Sequence, residues 1–446
     1  MTAAKKSKLE NTVPGKQSGS RAGRGLLLHF RPRTVPERTL RFTLTWGLGG
    51  SAAVLVMLLI GTGLLLKFVY QPFPDLAYSS ILSLQREIGF GRFIRSIHHW
   101  SANILVIVVF LHMLRVFFTG AFQPPRQGTW LIGLGLIFLT LGANFTGYLL
   151  PYDQLAYWAV TVSTGMLDYI PVLGAYLQKS IRGGTDIGPA TLSIFYALHT
   201  AVIPVCLFVL MAFHFWRIRK AGGLVIPRPP ESDMVRNPVR VPVMPNLLLR
   251  ELVMALVVIA AVMVLSVFLD APLEDPANPG LSPNPTKAPW YFAGLQEMLL
   301  HVHPVFSVFV IPSIFVGAML LLPYVIRASD TAGIWFASGK GRRMAVIAGL
   351  AALLITPLLI LIDEYALRSN SLWPNVPPVI ANGLVPFVSV TAMITIFLLV
   401  LKRRFSVTGR EAVQALFVFL VAAFVVMTAT GVWFRGLGMK LMWPWQ

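Results

Sequence analysis

The sequence predicts an all-α polytopic membrane protein, and three observations carry that prediction. Hydrophobic residues make up 56% of the 446 and charged residues only 12%, too little polar surface for a soluble domain of this length. Apolar runs long enough to span a bilayer recur at about residues 42–69, 97–119, 130–150, 194–217, 249–269, 305–326, 343–362, 383–401 and 412–433. Two of those runs each carry a pair of histidines separated by close to four helical turns.

Residues 1–41 precede the first run and hold ten Lys or Arg against Glu10 and Glu37. They contain no apolar h-region, so they read as a partly disordered basic arm lying on an anionic cytoplasmic leaflet, not as a cleavable signal. The net charge of +19 could suggest a nucleic-acid partner, but its distribution argues for a membrane. Counting from the arm and alternating sides, 27 of the 37 basic residues fall on one side. That asymmetry predicts a cytoplasmic N-terminus, an outer C-terminus and no nucleic-acid partner.

The second run, read as a helix from Ser96 to Gly120, carries His98 and His112, fourteen residues and roughly 21 Å apart on one face. The fourth carries His199 and His214, fifteen residues apart. Ionisable side chains inside spanning segments call for partners, and two such helices side by side form two facing histidine pairs at two depths. A pair of neutral imidazoles fills both axial positions of a haem iron and leaves an electron-transfer site that binds no oxygen. The bland alternative makes each histidine an isolated core residue bonded to a carbonyl. The single cysteine, Cys206, lies within an apolar run, and no CxxCH motif exists, so haem would be held without thioether bonds.

Glycines repeat the same interval. Gly49 and Gly63 on the first run, and Gly133 and Gly147 on the third, are each fourteen apart. A residue without a side chain lets a flat macrocycle approach the backbone, so each pair predicts a notch at each haem level. Two outer stretches, Pro151 to Ser193 and Asp270 to His303, read as long loops over the outer level, and loops of this length are commonly lids or docking surfaces.

The motifs Arg-Ser-Ile-His98-His-Trp, Leu-His112, Thr-Gly147-Tyr-Leu-Leu-Pro-Tyr-Asp-Gln, Tyr-Trp-Ala-Val, Phe-Tyr-Ala-Leu-His199-Thr and Met-Ala-Phe-His214-Phe resemble the cytochrome b family of Rieske/cytochrome b complexes. The fifteen-residue interval is similar to the chloroplast-type split form, and residues 236–326 resemble that form's subunit IV, fused here into one chain. The resemblance covers roughly residues 40–330. It implies a division into the arm (1–41), a di-haem four-helix domain (42–220), a cytoplasmic linker (221–248), a subunit IV-like domain with the outer quinol-site loop (249–330), and additional helices with an aromatic outer end (331–446). About five spanning helices thus follow the haem-binding bundle.

The resemblance further implies two non-covalent b-type haems, the outer one on His98 and His199 and the cytoplasmic-side one on His112 and His214. Quinol would be oxidised on the outer side, one electron passing to a Rieske-type iron-sulfur subunit and a c-type cytochrome subunit. The other would cross both haems to a quinone site on the cytoplasmic side. A homodimer of the complex in lipid, in a bacterial cytoplasmic membrane, is implied as well. Arg95 and Arg115 flank ligands and suit haem propionates, since guanidinium binds carboxylate bidentately; interfacial anchoring is their ordinary alternative.

Departures from the family pattern change the expected quinol site. Where the family carries Pro-Glu-Trp-Tyr this chain has Ala288-Pro289-Trp290-Tyr291, so the usual proton-accepting glutamate is absent. Trp290 and Tyr291 mark the quinol pocket, and Glu297, seven residues on, is the candidate acceptor, a surface carboxylate being the alternative. Asp153, Tyr152, His301 and His303 are secondary candidates. His99 stands where chloroplast-type sequences have arginine and reads as a polar contact. Gly47 occupies the position of the cysteine that attaches an extra haem in that form, so no covalent attachment is expected there. Arg219, Lys220 and His29 are the titratable or charged groups near the cytoplasmic quinone site. The ending from Trp433 to Trp445 reads as an interfacial anchor. The missing glutamate and the fused chain point to a bacterial menaquinol enzyme. The rival readings are a non-bifurcating di-haem anchor serving another redox subunit and a haem-free transporter whose histidines relay protons.

Overall fold

The computed structural model describes residues 33–227, 239–326, 332–367 and 374–445. Nine helices among the described residues are long and apolar enough to cross a membrane. In chain order, counting surface helices too, the elements are α1 (Leu48–Lys67), α2 (Pro74–Arg86), α3 (Gly91–Phe118), α4 (Gln127–Leu149), α5 (Gln154–Gly165), α6 (Gly174–Arg182), α7 (Pro189–Lys220), α8 (Val243–Phe268), α9 (Trp290–His301), α10 (Val305–Val325), α11 (Gly339–Leu367), α12 (Ile380–Phe405) and α13 (Gly409–Trp433). The nine spans are α1, α3, α4, α7, α8 and α10–α13, each within one of the nine apolar runs or extending it. Most of the arm, including His29, and part of the linker lie outside the described residues.

Helices α1, α3, α4 and α7 make the bundle, with α1 packed on α3, α3 on α4 and α4 on α7. Helix α8 packs against α1 and α3, while α10 packs against α4, where Trp130 Nε1 donates to the Met319 carbonyl at 2.8 Å. The spans α8 and α10 therefore flank the bundle from two sides. Of the last three spans, α13 packs on the bundle, and α11 and α12 pack on α13. Phe417 of α13 joins Phe117, Phe118 and Phe122 in one apolar cluster, and Ala345, Ala348 and Ala352 of α11 meet Ala415 and Phe419 of α13 in another. Small residues at that seam let helices approach closely where lipid offers no hydrophobic drive for association.

One expectation needs correction. The stretch from 151 to 193 is not a plain loop: its Asp153 caps α5, accepting from the Ala156 amide at 2.9 Å, and α6 follows. It is also tied to the second long stretch, with Gln154 N donating to Asp275 O and Ala277 N to Tyr152 O. A short antiparallel ribbon pairs Thr34–Pro36 with Arg240–Pro242 and joins the end of the arm to the linker. Three-residue strands in an otherwise helical chain leave no periodicity to read.

Four spans contain a π turn among the described residues, at Leu198–Val202, Val305–Val310, Asp363–Leu367 and Ile380–Leu384, and in three of them a proline follows two residues later: Pro204, Pro312 and Pro386. Proline lacks the N–H that the α ladder needs and crowds the preceding turn, which favours the wider register.

Candidate functional site

The first of these π turns bears on the histidines. Fifteen residues at 100° each overshoot four turns by about 60°. A π turn advances less per residue, and the one at Leu198–Val202 contains His199 itself, so the odd residue between His199 and His214 is absorbed.

The four histidines and four glycines sort into two levels. At one level, His98 and His199 face each other with ring centroids 6.1 Å apart and planes at 72°. Gly63 lies against His98 and Gly147 against His199. At the other, Gly49 lies against His112 and Gly133 against His214. A Cβ at Gly49 or Gly133 would stand 3.4 Å from the Cε1 of its histidine, at Gly63 3.2 Å, and at Gly147 it would overlap the ring. Each glycine thus lies where a side chain would crowd the imidazole of a neighbouring helix.

The hydrogen bonds orient the first pair. Thr62 Oγ1 donates to the Leu58 carbonyl at 2.8 Å, so its lone pair accepts from His98 Nδ1 at 2.9 Å. His199 Nδ1 donates to the Ala143 carbonyl at 2.9 Å. Both assignments leave Nε2 with its lone pair, the form a metal requires. Imidazole–metal bonds are about 2.0–2.1 Å, so ring centres 6.1 Å apart leave room for one metal atom between them. Among the described residues, the Nδ1 atoms of His112 and His214 are buried without a well-formed hydrogen bond, the Thr129 backbone lying near the second. Orphaned nitrogens in an apolar interior are costly, and the donor set fits a haem at each level.

Arg95 is buried and donates to the carbonyls of Ala271 and Pro272, while Arg115 donates from Nε and Nη2 to the Leu44 carbonyl. Both hold the chain that enters or leaves a neighbouring helix, with further N–H donors left over. Ser96 Oγ accepts from the Ala271 amide at 3.0 Å and Trp100 Nε1 donates to Leu269 O at 2.7 Å, so the 270–289 stretch is fastened to the first turns of α3.

Trp290 opens α9 and its Nε1 donates to Asn103 Oδ1 at 2.6 Å; Asn103 in turn contacts His99 through Nδ2. His99 is therefore turned to this polar group. The Tyr291 hydroxyl is buried without a hydrogen-bond partner among the described residues, and burial pushes its pKa up. An orphaned hydroxyl beside Trp290 is a group prepared for a polar ligand.

Glu297 is fully buried, which removes the surface-carboxylate reading. Arg435 holds it from two sides, Nε 2.9 Å from Oε2 and Nη2 2.6 Å from Oε1, and His301 Nε2 lies 3.1 Å from Oε1. Burial alone would raise the Glu297 carboxyl, but the hydrogen bonds from His301 and Arg435 and their charge outweigh it and hold the pKa below its ordinary value. Arg435 lies within the ending expected to act as an interfacial anchor, but it is buried, and the aromatic residues around it, Trp433, Trp443 and Trp445, are the exposed part. No spacing in the sequence links it to Glu297, 138 residues away.

Asp153 serves the loops, accepting from the amides of Ala156 and Glu274, and burial raises its pKa against those two bonds. Tyr152 sits beside it in the left-handed region at φ 51°. His303 donates its amide to Asn382 O and accepts from Val305 N, a turn between α9 and α10. At the other end, Lys220 Nζ lies 5.1 Å over the Trp216 ring, which with Arg219 marks the end of α7. Gly47 has φ +63°, favouring glycine, and the Met254 side chain fills the space where a Cβ would stand.

Paired imidazoles at two levels of a four-helix membrane bundle, each set against a glycine, define a haem-binding electron-transport protein of the membrane. The cytochrome b/b6/petB family model matches residues 36–222. Cytochrome b6 of Heliobacterium mobile is 42% identical over 188 residues, 42% of this chain and 87% of that protein, and cytochrome b6 of Acaryochloris marina is 43% identical over 175 residues, 39% of this chain and 81% of that protein. A hyperthermophilic respiratory Complex III chain shares the fold over 87% of this chain and 90% of its own, with a TM-score of 0.62 and 24% identity. The chain belongs to the cytochrome b family. Its second half extends beyond the b6 match, as a fused subunit IV-like part requires.

Proposed function

We propose that this chain is the cytochrome b subunit of a bacterial quinol:cytochrome c-type oxidoreductase, with menaquinol as the quinol. The single observation that carries the reading is the two-level arrangement of histidines against glycines. His98 with His199, and His112 with His214, are the ligand pairs for two non-covalent b-type haems. Each bound haem would supply a one-electron station within the membrane.

The chain's own groups would do the rest. Thr62 and the Ala143 carbonyl fix the tautomer of the first pair, and Arg95 and Arg115 have donors left for propionates. Trp290 and the Tyr291 hydroxyl position the quinol between α9 and α3, and Glu297 is the carboxylate in line with them. Two protons leave per quinol, so a carboxylate connected to water is required there. An iron-sulfur subunit of Rieske type, a c-type cytochrome subunit and a second copy of the complex are the partners, with the arm on the cytoplasmic side.

A redox-titrated haem spectrum of the parent beside His112→Ala and His199→Ala tests the reading. Two b-type components, each substitution removing a different one, are expected. A preparation with no haem absorbance, or full haem content in both variants, would overturn it in favour of the transporter.

A further inference from the structure

Three stretches distant in sequence meet behind α9. Glu297 and His301 come from α9, Asp363 and Glu364 from the end of α11, and Arg435 from the segment after α13. The contacts run in series. His301 Nε2 lies 3.1 Å from Glu297 Oε1, and His301 Nδ1 lies 2.7 Å from Asp363 Oδ2. Side-chain exposure rises along the series from 0% at Glu297 to 13% at His301 and 28% at Asp363. Asp363, Glu364 and Arg435 line a cleft of about 220 Å³ with Leu300, Gly438 and Met439. A continuous hydrogen-bonded line thus joins a fully buried carboxylate to a polar cleft.

Neutralising Glu297 does not require this line. Arg435 already grips both carboxylate oxygens, and its Nη1 is held by Glu364 Oε2 at 3.1 Å and Met439 O at 2.9 Å. An imidazole bridged to a second, outward carboxylate adds little to that pairing, but it adds a route. Both of its nitrogens are engaged, one inward and one outward, as proton relay requires. The inner end lies on α9 two turns, or about 10 Å, beyond Trp290 and Tyr291.

We propose that Glu297, His301 and Asp363 form the proton exit path from the quinol pocket to the cleft, and that Arg435 is the positioning residue that keeps Glu297 in line. This rests on the reading of quinol oxidation beside Trp290 and Tyr291. At rest His301 is an imidazolium between two carboxylates. A proton from quinol neutralises Glu297, which removes one of the charges holding the imidazolium. His301 then gives its Nδ1 proton to Asp363, which passes it to water in the cleft. The neutral ring turns over, takes the Glu297 proton on its bare nitrogen, and the resting state returns with one proton in and one out. The charged groups facing the ring are Glu297, Asp363 and Arg435, whose Nη2 is 3.3 Å from Nε2; Glu364 faces Arg435.

The test is steady-state oxidation of menadiol, a water-soluble naphthoquinol, by the complex purified from membranes, with cytochrome c as acceptor and haem content recorded for every variant. E297Q, H301Q and D363N should each lower kcat by roughly tenfold or more at unchanged KM and haem content, and raise the solvent deuterium isotope effect. Added imidazole should restore turnover to H301A, and R435K should shift the pH profile of kcat. A slow E297Q beside H301Q and D363N at the parent rate would overturn the path and leave the quinol reading intact. All three at the parent rate would remove Glu297 from proton transfer as well. A haem-replete parent that does not oxidise menadiol would overturn the quinol reading itself. Should H301Q fail to assemble, D363N at the exposed end and imidazole rescue decide.

Discussion

Gly147 packs against the imidazole of His199 so closely that a Cβ there would overlap the ring. The approach is the tightest of the four glycine–histidine contacts, and it lies on the helix opposite the π turn that sets His199 in place. Gly147→Ala should therefore displace His199 and cost about 1–3 kcal/mol from overpacking. The expected spectrum loses the haem component of the His98–His199 level and keeps the other. Gly49→Ala, where the Cβ would stand at 3.4 Å from His112, should retain both.

Thr62 accepts from His98 Nδ1, and that bond selects the tautomer with Nε2 free. Thr62→Val keeps the shape and removes the acceptor. Loss of such an outer partner typically weakens metal affinity by roughly 10–100-fold, so haem should dissociate faster from this level, read by transfer to apomyoglobin. Unchanged haem retention would mean that the threonine only closes its own helix turn.

Arg435 and Glu297 are both fully buried as side chains. Removing one partner leaves a charge unanswered in the interior, so Arg435→Ala should destabilise the protein by about 3–5 kcal/mol. Arg435→Met combined with Glu297→Gln should recover much of that loss, because neither charge remains. Thermal unfolding of the detergent-solubilised protein would measure both, and an additive double variant would contradict the pairing.

His301 supplies a pH dependence. Burial opposes the charged ring, but hydrogen bonds and charge from Asp363 and Glu297 overcome it and raise the pKa from 6.5 to about 9. A raised pKa contributes stability that is complete below the ordinary value and lost as pH rises through the folded one. The unfolding temperature should fall across the window from 6.5 to about 9, and His301→Gln should flatten that fall. A fall of the same steepness in the variant would assign it to other groups.

The spans and the four histidines were legible because a bilayer imposes length and apolarity on each crossing, and helical geometry converts sequence spacing into a face and a depth. The glycines were legible by interval, though not by neighbour: what Gly63 and Gly147 touch depends on which helix lies beside them. The surface helices Pro74–Arg86, Gln154–Gly165 and Gly174–Arg182 were not legible as helices, since short amphipathic segments between long apolar runs look like connectors. Asp153 was singled out for chemistry and proves to fasten two loops, a role set by the amides of Ala156 and Glu274.

Family membership, the nine candidate spans among the described residues and the candidate ligands followed from the sequence by itself, because each rests on local periodicity or a contiguous motif. The cluster of Glu297, His301, Asp363, Glu364 and Arg435 was decided only by tertiary structure. Its members come from α9, the end of α11 and the chain after α13, and charges so far apart in sequence acquire a shared low-dielectric site only when helix packing brings them together and takes water away.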